Sequence, residues 1–237
     1  MKKKTEECST ALRGFKIFIS IAIGLIVILY MMISIAKVVY EASGLTAIPT
    51  PEISEGMRGE LGIDKNVNES TIDNYLNRTD SVYRDMRMLV DPANYEAIGG
   101  DKYLSGIVDG FEVVPLPYLI TPEGLPEAVG ESYTGKTLFT RLANGKVIAN
   151  YTESKQILED LFPKDKNIFL MCGGGGYAGM TKQLLVDLGW DETKIWNVGG
   201  YWYYEGKNKT SIKLDDGTFA FWRLNYHNID FDSLKEL

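Results

Sequence analysis

The sequence predicts an α/β protein with a mainly parallel sheet and helices on both faces, preceded by one transmembrane helix. Three observations lead to this prediction. Short apolar strands alternate with capped helices between about residues 81 and 205. One of these strands ends at a cysteine that is followed by four glycines and a helix. Near the N-terminus, residues 17–36 carry no charge.

The N-terminal region predicts a membrane anchor. At about 1.5 Å per residue, a helix over residues 17–37 spans the roughly 30 Å core of a bilayer and would contact lipid. A basic tail over residues 1–16 places the N-terminus in the cytoplasm and the main domain outside it, as a single-pass protein. A cleaved signal peptide is the alternative, since residues 41–44 offer small side chains. Its apolar region would be unusually long, which favours the uncleaved anchor.

The rest of the chain is predicted to be a tether followed by one domain. Residues 38–70 hold prolines and scattered polar residues with little periodicity, which is typical of a linker. The domain is assigned to residues 71–237. Within it, Asn144-Gly145 predicts the turn of a β-hairpin.

Charge and composition exclude several classes of site. The chain has 237 residues and a net charge of −7, which argues against a nucleic-acid partner. It contains two cysteines, Cys8 and Cys172, and one histidine, His227. This is too few for a Cys/His zinc site in one chain, and no cofactor or metal is predicted. A dyad of Cys172 with His227 stays open.

The segment around Cys172 carries the strongest chemical signal. Residues 168–171 are apolar and predict a buried strand, and residues 180–188 predict a helix that ends at Gly189. Glycines between a strand and a helix can turn several backbone N–H groups toward one point, and the helix N-terminus adds its own. We expect these amides to surround the sulfur and to lower the pKa of the thiol. Acidic residues oppose this effect, but their charge is screened over about 8–10 Å.

Four blocks of sequence resemble the rhodanese (sulfurtransferase) family, in the same order. They are an early strand ending in Asp-x-Arg, a Gly-containing element leading to a strand and proline, the cysteine loop, and a late strand with a Gly-Gly turn and a tryptophan. In this chain they occupy residues 81–87, 104–116, 167–180 and 194–202.

The resemblance implies a central five-stranded sheet and a catalytic cysteine. Cys172 would accept a sulfur atom as a persulfide and pass it to a thiol or another small acceptor. Asp85 and Arg87 would support the site without reacting. The sulfur and the substrate would be held by Gly173, Gly174, Gly175, Gly176, Tyr177 and Ala178.

The loop departs from the family pattern in its charges. The family often has arginine directly after the cysteine and arginine or threonine at the end of the loop, where this chain has Gly173 and Tyr177. The position six after the cysteine is Ala178, so a Cys-x5-Arg phosphatase is rejected. The predicted function is therefore sulfur transfer with charge met by amides.

The sequence also fits other interpretations. A non-catalytic rhodanese-like binding module and an extracytoplasmic thiol redox sensor are the alternatives. Cys172 could also serve packing alone. The aromatic residues near the C-terminus predict either a core rim or a sugar-stacking face.

Overall fold

The computed structural model of the chain divides into two compact units, Met1–Ala47 and Ile48–Leu237. In the first unit, residues 24–32 are helical. No helix among the described residues combines the length and the hydropathy that crossing a bilayer requires. The predicted basic tail and most of the predicted anchor lie outside these residues. The structure describes residues 24–32, 34, 46–56 and 58–237.

The second unit is an α/β fold built on a parallel sheet, as predicted. Its strands, in chain order, are β1 (Ser81–Asp85), β2 (Gly106–Val108), β3 (Glu112–Val113), β4 (Phe139–Arg141), β5 (Val147–Ala149), β6 (Asn167–Cys172), β7 (Ile195–Gly200) and β8 (Lys209–Ser211). The central sheet has four strands in the order β3-β1-β6-β7, and each neighbouring pair is parallel.

The expected five-stranded sheet is therefore wrong by one strand. β2 pairs antiparallel with β8 in a separate two-stranded ribbon, so its hydrogen bonds are made outside the central sheet. β4 and β5 form the hairpin predicted around Asn144-Gly145. Gly145 has a φ of +82° there, a conformation that favours glycine.

Strand β6 contributes side chains to two different hydrophobic cores. Ile168, Leu170 and Cys172 belong to one buried cluster, and Phe169 and Met171 belong to the other. Successive side chains of a strand point to opposite faces, so the apolar run of β6 fills both sides of the sheet.

Among the described residues, the α-helices contribute to only one of these cores, which corrects the expectation of helices on both faces. Helices α1 (Leu116–Leu119), α2 (Ser154–Leu161) and α3 (Gly176–Asp187) supply residues to the cluster that contains Cys172. The other face is covered by the 3₁₀ helix Ile72–Tyr75 and the β2–β8 ribbon. Large aromatic rings take up the volume there, with Phe169 stacked between neighbours at ring-centroid distances of 5.0–5.2 Å.

The predicted tether is part of the folded unit from residue 48 onward. Ile63 and Val67 are buried, and the Asp64 amide donates to the Asn197 carbonyl of β7 at 2.8 Å. The Asp64 carboxylate also accepts from three backbone amides of the same segment. The segment is anchored by single residues rather than by a periodic face, so its sequence has the pattern of a linker.

Candidate active site

The site is built where β6 passes into α3. β6 ends at Cys172, three glycines form the loop, and α3 begins at Gly176, earlier than the sequence indicated. Gly175 has a φ of +104°, a left-handed conformation that L side chains rarely adopt. Glycine at this position lets the chain turn sharply from the strand into the helix.

The Cys172 thiol lies at the base of this loop and is only 3% exposed. The Gly175 amide donates to its sulfur at 3.0 Å. The amides of Ala178 and Tyr177 also stabilise the thiolate form. Amides of three residues in the predicted segment therefore act on the sulfur, as expected.

The expected lowering of the thiol pKa is not what the structure gives. Burial raises the pKa of Cys172, and the charge of Asp85 adds to this, while the loop amides lower it. The result is a pKa above that of a free cysteine, because removing a thiolate from water costs more than three amides return. Cys172 is a protonated thiol at neutral pH in the resting protein.

The glycines of the loop also make room for an aromatic ring. A Cβ on Gly173 would lie 2.6 Å from Cε2 of the Trp202 indole, and one on Gly174 would lie 3.3 Å from Cζ3. Gly100 touches the same ring from another segment, where a Cβ would lie 2.6 Å from Cζ2. The Trp202 amide donates to the Gly173 carbonyl at 3.1 Å. The loop and Trp202 thus pack as one unit.

Asp85 and Arg87 form a buried ion pair beside the loop. Asp85 ends β1 and pairs in register with Met171, the residue before Cys172. Arg87 Nε and Nη2 donate to the Asp85 carboxylate at 2.9 and 2.5 Å, and Nη2 also reaches the Gly106 carbonyl at 2.8 Å. The guanidinium stacks over the Tyr201 ring at 4.4 Å. Burial opposes the charge of Arg87, but the Asp85 carboxylate keeps its pKa raised.

A cavity of about 150 Å³ opens above the thiol. Cys172, Gly173, Gly174, Gly176 and Tyr177 line it, so five of the predicted catalytic and substrate-binding residues meet there. Gly175 and Ala178 contribute amides to the sulfur instead. Arg87 lines the same cavity, and a cation is therefore present although the loop itself carries none.

His227 does not join the site. Its Nε2 lies 2.9 Å from the Glu112 carboxylate on β3, and that carboxylate also pairs with Arg84 at 2.8 Å. The dyad of Cys172 with His227 left open by the sequence is absent among the described residues. Nor does any group of three or more Cys, His, Asp or Glu side chains there suit a metal ion.

Comparison of the chain with known proteins identifies no relative. No protein-family model, no curated protein and no solved structure matches the chain. The resemblance to rhodaneses therefore stays a prediction from the four sequence blocks.

Two buried polar residues next to the loop were not predicted from the sequence. Asp91 is buried in the cavity wall and accepts a hydrogen bond from the Tyr177 hydroxyl at 3.0 Å. Burial raises the pKa of Asp91. Asn197, 1% exposed, donates to the Gly175 carbonyl at 3.0 Å and to the Leu61 carbonyl at 2.8 Å. An asparagine inside the apolar strand β7 was the available signal for the second.

Proposed function

We propose that the chain is a membrane-anchored, rhodanese-like sulfurtransferase in which Cys172 carries sulfur as a persulfide. One observation carries this proposal. The Cys172 sulfur lies at the base of a cavity, within hydrogen-bond distance of the Gly175 amide, where a loop meets a helix N-terminus. Such a cradle suits an anionic sulfur better than a packing cysteine.

The proposed reaction has two balanced steps. In the first, the sulfur–sulfur bond of a persulfide donor breaks as its outer sulfur bonds to the Cys172 sulfur, and the thiol proton leaves with the donor's thiolate. In the second, an acceptor thiol attacks the outer sulfur, and Cys172 is released as the thiol. The loop amides hold the sulfur that is carried between the steps, and the Arg87–Asp85 pair lies at the adjacent end of β1.

A protonated resting thiol fits this sequence of steps. The proton is lost only as the donor's thiolate departs, so the buried site never holds an uncompensated thiolate before the donor binds. Burial that raises the pKa of Cys172 thus slows unproductive reactions of the empty site. Removal of the Cys172 thiol from water thus protects it in the empty site.

We further propose that residues 17–37 anchor the chain in a membrane, with the folded unit on the extracytoplasmic side. The uncharged run and its basic N-terminal flank support this placement. A thiol in that compartment meets oxidants, so a low resting reactivity of Cys172 is useful there.

A binding module without catalysis is the second candidate. The observation that favours it is the same burial, because a thiol 3% exposed with a raised pKa resembles an inert core cysteine. A redox sensor requires oxidant access to the sulfur and is less well supported by this burial.

Mass spectrometry of the full chain separates these candidates. The protein, carrying Cys8→Ser so that Cys172 is its only thiol, is incubated with a small organic persulfide and, in parallel, with inorganic polysulfide, and then with an excess of acceptor thiol. We expect one sulfur atom to be added at Cys172 and then lost with formation of the acceptor persulfide. Cys172→Ser is the matched control and should gain none. Failure of Cys172 to gain sulfur at any donor concentration would leave the binding module as the better proposal.

A further inference from the structure

The cavity above Cys172 has mostly apolar walls. Met88, Tyr95, Leu125, Met180 and Trp202 line it above the thiol and the loop glycines. The Tyr95 ring contacts Trp202 and Tyr177, at centroid distances of 5.5 and 6.0 Å. From these walls we infer that the sulfur donor is an organic persulfide with a compact apolar body, rather than an inorganic dianion. This inference names the substrate class of the proposed sulfur transfer and depends on that proposal.

The size of the cavity sets the size of that body. A volume of about 150 Å³ between apolar side chains holds a benzene-sized group. A benzyl group or a short branched aliphatic chain therefore fits between Tyr95, Trp202 and Met180, and its sulfur atoms extend toward Cys172.

The charges around the cavity do not favour a dianion. Arg87 and Lys102 line it together with Asp91 and Asp101, so the basic and acidic side chains balance. The Arg87 charge is already matched by Asp85, with Nη2 2.5 Å from the carboxylate. A doubly charged ion would lose its hydration without gaining an excess of positive charge, and this loss is costly in an apolar space.

Two side chains of the cavity wall carry a nitrogen donor without a hydrogen-bond partner in the described part of the chain. Arg87 is 6% exposed and its Nη1 has no hydrogen-bond partner in the described part of the chain. Trp202 Nε1 likewise has none there. Both side chains line the cavity, but these two nitrogen atoms are themselves buried, so they add no open donor for the oxygens of an anion.

The transfer balances without another reactant. For a donor R–S–SH, the donor's sulfur–sulfur bond breaks and a bond forms from the Cys172 sulfur to the outer sulfur. The products are the Cys172 persulfide and R–SH, which takes the thiol proton. The apolar body leaves with R–SH.

The first test compares two donors on the full chain carrying Cys8→Ser. The rate of sulfur gain at Cys172 is measured by mass spectrometry with benzyl persulfide and with thiosulfate as donors. Each rate is divided by the rate at which the same donor transfers sulfur to a small free thiol. We expect the normalised rate to be at least about tenfold higher for benzyl persulfide. Leu125→Lys, which adds a cation to the wall, should shift the ratio toward thiosulfate several-fold. Leu142→Lys, on an exposed leucine of the β4–β5 hairpin, should leave it unchanged.

The second test measures binding without sulfur transfer. Benzyl methyl sulfide, which cannot donate sulfur, should slow the alkylation of Cys172, whereas sulfate should not. If this protection is seen but no donor transfers sulfur, the apolar ligand class stands and the proposed sulfurtransferase fails. If thiosulfate loads Cys172 as fast as benzyl persulfide, or sulfate protects better than the thioether, the sulfurtransferase stands and the apolar donor is refuted.

Discussion

Substitution of Gly173 by alanine tests whether the loop glycines exist to accommodate Trp202. A Cβ at this position would lie 2.6 Å from Cε2 of the indole, about 1 Å closer than the 3.5 Å or so of favourable carbon contact. The ring cannot simply withdraw, since Gly100 lies close to it elsewhere and Tyr95 packs against it. Gly173 does not have a positive φ, so the alanine backbone itself is unstrained.

The expected magnitude follows from this crowding. Overpacking a closely packed site costs about 1–3 kcal/mol, and Gly173→Ala should lower the free energy of unfolding by that amount. In a Trp202→Ala background, the new methyl group enters the space left by the indole and the cost should nearly vanish. The double-mutant cycle should then give a coupling free energy of about 1–3 kcal/mol.

Urea unfolding of the purified full chain, followed by circular dichroism, measures all four proteins of the cycle. Two neighbouring glycines serve as controls. A Cβ on Gly176 meets no atom within 4 Å at the start of α3, so Gly176→Ala should be neutral or stabilising by up to about 1 kcal/mol. Gly175→Ala should destabilise in both backgrounds, because its cost comes from the positive φ and from Ile63. An equal cost of Gly173→Ala with and without the indole would refute the packing role of Trp202.

Three further predictions concern buried polar groups. Arg87→Ala leaves Asp85 buried without its partner and should lower the free energy of unfolding in urea by about 3–5 kcal/mol. Adding Asp85→Ala should recover part of this loss. An unchanged stability of Arg87→Ala would contradict the ion pair. Because burial raises the pKa of Cys172, its alkylation rate should still be rising with pH above about 8.5, and a plateau below that value would show that the amides prevail. The same shift means that the neutral thiol stabilises the fold below pH of about 8.5, and that this contribution declines as the pH rises through the folded pKa. Asn197→Leu removes the donor to two carbonyls and should cost about 1–3 kcal/mol, whereas a neutral effect would imply that the loop does not need this bond.

Local signals in the sequence were enough to predict the strand, the loop and the helix that build the site. The apolar run of β6, the cysteine at its end and the following glycines are neighbours in the chain, and their order determines the turn into α3. Asp85 was predictable for a similar reason, since the end of a strand in a parallel sheet lies at the edge where such sites occur. The position of Arg87 two residues later then follows from its bidentate contact with Asp85.

Contacts between distant segments were not predictable in this way. Nothing in the loop indicates that Gly173 and Gly174 face the indole of Trp202, because side-chain packing depends on where β7 ends in space. The same holds for residues 48–70, which are joined to the fold by Asp64 and a few apolar side chains without periodicity. Prediction from hydrophobic periodicity detects segments with a repeated apolar face and misses segments that are held by single contacts.

The pKa of the Cys172 thiol shows how packing by distant segments can reverse a prediction made from neighbouring residues. The amides near Cys172 can be counted from the sequence, but its depth cannot, because α3, Tyr177 and the neighbouring core determine it. Loss of hydration acts on the whole thiolate, whereas each amide replaces only part of that hydration, so burial decides the sign of the pKa shift. In the proposed reaction this sign has a consequence for selectivity. A thiol that is neutral at rest reacts when the donor's leaving thiolate takes its proton. When the donor fills the cavity, this proton transfer takes place in a site without water.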